Sequence, residues 1–246
     1  MKKTILFSTI LMAAGSILAA DSTPKDDVKA AAAALGNAAN YTWQSTMDMG
    51  ANSPFQPGPT DGKTEKDGYT TVSMSFGDNT SMAVLKGTNA AVQSPDNGWQ
   101  TAAEATQAGG GGGGGFNPAM MIVSQVQNLK TPAIEAANLA GLAGDLKADG
   151  GKITGALTDD GAKSMLSFGG RSRRGGGGAP PEITNPKGTV TFWVADGKLT
   201  KYQFHVTGSM SFNGNDMEMD RTTTVVISNV GTTKVEVPDD AKKKLQ

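Results

Sequence analysis

The sequence predicts an α+β fold: a curved antiparallel sheet, an unclosed half β-barrel, whose concave face is covered by helices. Three observations predict it. Two groups of alternating strands are each punctuated by hairpin turns. The longest strands have one polar and one apolar face. Capped, helix-prone segments separate the two groups. Asp196-Gly197 and Asn213-Gly214 are strong hairpin signals, because both residue types tolerate the positive φ of a type I′ turn.

The first element after Asp21 is a helix. Pro24 suits a first helical position, Asp26 and Asp27 suit its positive end, and Gly36-Asn37 ends it. Tyr41 to Met49 alternates as a strand, and the Pro/Gly-rich stretch from Ala51 to Thr60 is a loop. Thr60 to Lys66, Thr70 to Phe76, Ser81 to Lys86 and Ala90 to Ser94 follow as four short strands. A weakly helical stretch, Thr101 to Gln107, leads into seven glycines, Gly109 to Gly115. Asn117-Pro118 and Thr131-Pro132 each cap a helix, Ala119 to Leu129 and Ile134 to Leu146. Lys152 to Leu157 is a strand, and Thr158 caps a short helix from Asp159 to Leu166.

The C-terminal meander runs through Thr189–Ala195, Leu199–Phe212 and Asp216–Ser228, with a short fourth strand from Thr233 to Val237 and a terminal helix after Pro238. Side chains alternate across a strand. Tyr202, Phe204, Val206, Met210 and Phe212 therefore share the dry face, and Met217, Met219, Val225 and Ile227 share it on the next strand. Arg221 falls on the same parity. Either it points into the hollow, where it can bind an anionic head group, or it marks a bulge that flips the register; the bulge is the preferred reading.

The chain of 246 residues opens with Lys2-Lys3, an apolar run from Ile5 to Leu18 and Ala19-Ala20. This is the pattern of a secretory signal, so residues 1–20 are expected to be removed after Ala20. Residues 21–246 form one expected half-barrel domain, with Gly-rich inserts at about 108–116 and 169–181. The destination is periplasmic or secreted. There is no cysteine, which excludes disulfides and an N-terminal lipid on cysteine. Of the 22 basic residues two lie in the leader, leaving 20 against 23 acidic ones, no electrostatic case for nucleic acid.

Catalytic and metal chemistry find little support, and no catalytic residue, metal ligand or cofactor is assigned. His205 is the single histidine and lies on a polar strand face. Gly58 to Thr64 imitates a phosphate loop but has one residue too few between its glycines. Asp216, Glu218 and Asp220 lack a calcium-loop pattern and read as a solvated face. Arg171, Arg173 and Arg174 sit among glycines as a solvated loop. Methionine is the informative excess: twelve in all, ten of them after the leader. Its flexible, polarisable side chain fills irregular apolar shapes, either as ordinary core or as a deformable hollow.

Three stretches carry a family resemblance: Gly155-Ala-Leu-Thr158 with its short helix, the hairpin Phe192-Trp-Val-Ala-Asp-Gly-Lys-Leu199, and Val230-Gly-Thr-Thr-Lys-Val-Glu-Val-Pro238 before a terminal helix. With the order of elements, these resemble the periplasmic lipoprotein-carrier superfamily, the LolA-like and LppX/LprG-like half-barrel proteins. The resemblance implies an unclosed barrel plugged by helices, with lipid acyl chains in the hollow. Carriers of that kind hold the helical lid with an early-strand arginine; here no arginine precedes Arg171, so no functional residue carries over.

The expected function is non-enzymatic binding of a lipid or other amphiphile in an apolar hollow. The expected lining is Trp43, Met47, Met74, Met121, Ile134, Leu139, Phe192, Phe204, Met210, Met217 and Met219. The expected partner is a lipid or lipidated molecule, with an envelope protein as a second candidate and only transient membrane contact. The alternative is an interaction or sensor module of the same fold, its hollow filled by its own side chains.

Overall fold

The computed structural model describes residues 22–51, 53, 56–76, 79–94, 98–109, 118–167, 182–212 and 215–246. The leader, most of the first glycine insert, the whole second insert with its three arginines and the Asn213-Gly214 turn lie outside the described residues, as does the side chain of Met121.

Helix α1 (Pro24–Asn37) precedes six strands: β1 (Asn40–Asp48), β2 (Thr60–Glu65), β3 (Thr70–Phe76), β4 (Asn79–Lys86), β5 (Asn89–Ser94) and β6 (Gly98–Thr101). Helices α2 (Ala102–Gly109), α3 (Pro118–Asn128) and α4 (Pro132–Leu142) follow. Then come β7 (Lys147–Asp149), β8 (Lys152–Ala156), α5 (Asp159–Leu166), β9 (Glu182–Ala195), β10 (Lys198–Phe212), β11 (Asn215–Ser228) and α6 (Asp239–Lys244). All strands join one antiparallel sheet of eleven, ordered β6-β5-β4-β3-β2-β1-β11-β10-β9-β8-β7. Its two edge strands, β6 and β7, do not pair, so the barrel stays unclosed. The β1–β11 pairing, from Thr42↔Ser228 to Asp48↔Thr222, joins the first meander to the last.

The hairpin prediction at Asp196-Gly197 is met by φ of 51° and 70°. Thr158 caps α5 as expected, accepting the backbone N–H of Gly161, and Thr23 caps α1 by accepting that of Asp26. Helix α1 buries Val28, Ala31, Ala32 and Leu35, an i, i+3, i+4, i+7 stripe. It packs against α4 and against β9 and β10, while α5 lies on β9 and β10. Helices α2 and α3 cover the β4–β5 region of the same face.

Several expectations are corrected. The proposed strand Thr233–Val237 does not form. Its Thr233 meets Asn40 and Thr42 of β1, which already has β11 on one side and β2 on the other. The segment is pinned instead by Asn40, whose side-chain oxygen accepts the Thr233 N–H at 2.7 Å. Helix α4 ends at Leu142 rather than Leu146, because Gly144 donates to the Ala156 carbonyl at 2.9 Å and draws the chain into an extended course beside β8. Strand β9 begins seven residues earlier than expected, and Pro186 sits where its pairing with β10 shifts register between Thr207 and Ser209. Helix α6 lies on the opposite face of the sheet from the other helices: Ala241 and Leu245 pack with Val84 and Ala91, whose strand neighbours Ala83 and Val92 face the main core.

Candidate functional site

The inner face can be read row by row from the strand register. One row holds Trp43, Gly62 and Val72, with Ile227 on the other side of Trp43. A later row holds Phe192, Tyr202, Val225 and Ser45. The next holds Val190, Phe204, Thr223 and Met47, and the one after it Gly188, Val206 and Arg221. At the far end Ile183, Met210 and Met217 align.

Of the expected lining residues, Trp43, Met74, Leu139, Phe192, Phe204 and Met219 are buried. Met47 and Met210 are half-buried, with Met210 packed against the core. Two expected lining residues differ. Ile134 is 54% exposed, since α4 turns Ala133, Ala136, Leu139 and Ala140 inward and leaves Ile134 on its outer side. Met217 keeps its inner parity but is 59% exposed, near the end of the β10–β11 ribbon.

The middle of the inner face is closely packed. A Cβ placed on Gly62 would stand 2.0 Å from the Trp43 ring, one on Gly188 2.7 Å from Leu157, and one on Gly208 2.8 Å from Leu166. These glycines let the indole of β1 and the chain of α5 lie directly on the sheet. Leu139, Phe192 and Tyr202 are fully buried. Two shallow grooves, of about 640 and 350 Å³, lie elsewhere: between α1 and the β7–β8 turn, and along Lys187, His205 and Thr207. Neither is lined by any of the expected lining residues.

Within this apolar interior lies a polar constellation that the lining prediction lacked. Arg221 is only 6% exposed. The bulge proposed for it is absent: β10 and β11 pair without a shift from Lys201↔Val226 to Phe212↔Asn215, so alternation carries the side chain inward. Its guanidinium donates to the Met165 carbonyl in α5 and stands 5.9 Å from the centre of the Phe204 ring. Two rows from Arg221, the Tyr202 hydroxyl donates to Glu135 on α4 at 2.6 Å. Burial raises the Glu135 pKa, opposed by the Tyr202 hydrogen bond and by the charges of Lys130 and Arg221. Burial, and then the Glu135 charge, push Tyr202 well above the usual phenol range. Burial lowers Arg221, and Glu135 partly offsets this. Next to Arg221 on the same face, Thr223 is 4% exposed, and its hydroxyl has no hydrogen-bond partner among the described residues.

These contacts tie two helices to the sheet, α4 through Glu135 and α5 through the Met165 carbonyl. The alternation already placed Arg221 inward; only the reluctance to bury a guanidinium argued for a bulge. Glu135 gave no signal, since a carboxylate in the first turn of a helix is ordinarily a solvent-exposed partner of the dipole. His205 lies on the outer face, where it meets Asp220 at 2.8 Å with both side chains well exposed, as its polar parity predicts. Among the described residues no helix is long and apolar enough to cross a membrane.

No protein-family model matches the chain, and no curated protein matches it significantly. Solved structures similar to it include the lipoprotein LppX of Mycobacterium tuberculosis, with TM-score 0.49 and 12% identity, over 86% of this chain and 97% of that one. LprF from Mycobacterium bovis gives 0.44 and 11%, over 89% and 97%. A LolA superfamily protein from Nitrosomonas europaea gives 0.33 and 9%, over 89% and 96%. At these scores the likeness carries no argument about function.

Proposed function

We propose that this is an exported, non-catalytic protein that binds a lipid or other amphiphile against the inner face of its half-barrel. The observation that carries the reading is one apolar side chain left open at the far end of the inner face, beside buried and half-buried ones. Ile183, Met210 and Met217 form one cross-strand row, Met219 lies beside it, and Met217 is left 59% exposed. Methionine-rich apolar surface is deformable, so one row of side chains can accept acyl chains of different shape. Burying an acyl chain there contributes about 25 cal/mol per Å² of apolar surface before ordering costs. Deeper entry requires α5 to lift from β9 and β10, breaking the Arg221 hydrogen bond to Met165 and parting Leu166 from Gly208.

A leader cleaved after Ala20 and a periplasmic or secreted destination belong to this reading. A second reading is favoured by one observation: beneath α1, α4 and α5 the space is filled by the chain's own side chains. An envelope interaction or sensor module without lipid cargo would be built that way.

The test is uptake of a fluorescent acyl probe by the purified protein and by the double variant Met217→Asp, Met219→Asp. The proposal expects saturable uptake that the double variant loses. No uptake by the parent protein, or equal uptake by the variant, contradicts it.

A further inference from the structure

The long strands of the last meander outrun their neighbours. Strand β8 pairs with β9 only as far as Ala156↔Thr189, and β1 pairs with β11 only as far as Asp48↔Thr222, whereas β9 starts at Glu182 and β11 at Asn215. A ribbon of β9, β10 and β11 therefore leaves the sheet with an open edge on each side among the described residues. An open edge presents main-chain N–H and C=O groups that can pair with another strand. The β9 edge is blunted twice: Asn185 has φ of 51°, and Pro186, which has no N–H, sits at the shift in the pairing with β10. The β11 edge is regular, since β10 and β11 pair without a shift as far as Phe212↔Asn215. Gly50, which turns the chain after β1 with φ of 76°, lies against Asp220, so the open stretch of β11 is residues 215–219. At about 3.4 Å per residue that is roughly 17 Å of strand.

The charge on that stretch selects what can pair with it. Asp216, Glu218 and Asp220 are exposed on the outer face of β11, about 7 Å apart along the strand, and Asp48 ends β1 on the same face. Among the described residues no three carboxylates converge to hold a metal ion. The basic groups nearby are His205, which meets Asp220 at 2.8 Å, and Lys187, two strands away opposite Thr207. Glu218 accepts from Ser209 with one of its oxygens. Like charges facing each other across paired strands are destabilising, and opposite charges are stabilising. A second copy of this chain would bring the same acids to the edge and is disfavoured. A strand with lysine or arginine at every second position matches the spacing of the acids. Met217 and Met219 point to the inner face, so the intervening positions of that strand are apolar. We infer that β11 takes an added strand at residues 215–219, an extended segment of a partner protein in which basic residues alternate with apolar ones. Main-chain hydrogen bonds supply the attachment, Asp216 and Glu218 select the basic residues, and the apolar ones lie beside Met217 and Met219. This site goes beyond amphiphile binding and does not depend on it.

The experiment measures binding of a fluorescein-labelled peptide of alternating lysine and valine to the full purified chain, at low ionic strength where exposed charges are least screened. Two further peptides separate the causes. One carries glutamate in place of lysine. The other has every peptide nitrogen methylated, which keeps every charge and removes every main-chain donor. The lysine peptide should bind saturably, and each of the other two at least tenfold more weakly. The charge reversal Asp216→Lys, Glu218→Lys should invert the order, so that the glutamate peptide binds better than the lysine one; that gain also shows the variant to be folded. The milder pair Asp216→Asn, Glu218→Gln should weaken the lysine peptide several-fold, and it locates the site even if the charge reversal does not fold. Failure of the lysine peptide to bind overturns the inference. Equal binding of the methylated peptide overturns it as well, since charge alone would then hold the ligand. Unchanged binding by the milder pair puts the peptide elsewhere on the molecule and overturns it too.

Discussion

Replacing Tyr202 by Phe removes one hydroxyl from the middle of the molecule and nothing else. That hydroxyl donates to Glu135 at 2.6 Å and links β10 to the first turn of α4. A hydrogen bond to a charged group contributes about 1.5–3 kcal/mol, against about 0.5–1.5 kcal/mol for a neutral pair. The cost of Tyr202→Phe therefore depends on the protonation state of Glu135. Burial holds the Glu135 pKa above its ordinary value, and the tyrosine is the first group opposing that rise. A carboxyl with a raised folded-state pKa binds more protons folded than unfolded. It therefore supports stability below its unfolded pKa, and the support is lost as pH rises through the folded one. Removing the tyrosine raises the folded pKa further, so the variant loses more stability over the same rise in pH. At neutral pH the deficit should be about 1.5–3 kcal/mol, which for a chain of this size lowers Tm by roughly 3–12 °C. Well below the carboxylate range the deficit should shrink toward the neutral value. Urea titrations followed by tryptophan fluorescence across a pH series measure this directly. A deficit that is the same at every pH, or that grows as pH falls, refutes the assignment of Glu135 as a partly buried carboxylate acting on the sheet.

Further expectations concern the packing that closes the interior. Gly62→Ala drives a methyl group into the Trp43 ring and should destabilise by about 1–3 kcal/mol, with a shift in tryptophan emission. Leu139→Ala should cost about 2–5 kcal/mol because the side chain is fully buried. Ile134→Ser, five residues earlier on the same helix, should stay within about 0.5 kcal/mol because that side chain faces outward; denaturant midpoints of the pair test the helix orientation. Thr158→Ala should cost about 1 kcal/mol, since the hydroxyl both accepts from Gly161 at 3.0 Å and donates to the Leu142 carbonyl at 3.1 Å.

The sheet was legible because its signals are local. Alternation along Leu199–Phe212 and positive-φ residues at Asp196-Gly197 specify strands and turn without reference to distant parts of the chain. The cap at Thr158 is local in the same sense. The failures depend on what the rest of the chain does. Thr233–Val237 has the composition of a strand, but both edges of β1 were already taken. Val84 and Ala91 belong to a second, outer cluster only because α6 returns to cover them. Helix α4 is apolar enough that several faces could have been buried, and Ile134 shows which one was not. In the candidate site, the greasy face was readable from parity, whereas Glu135 comes to Tyr202 from 67 residues away, a distance no periodicity spans.

The central claim is that the inner face of this half-barrel takes up an amphiphile. Native mass spectrometry of the protein purified from cells, followed by lipid extraction of the denatured sample, tests it most directly. The account predicts an amphiphile present in stoichiometric amount, released on denaturation and depleted in the double aspartate variant at positions 217 and 219. A bare protein that also ignores added acyl probes contradicts it and leaves the self-filled module as the better description.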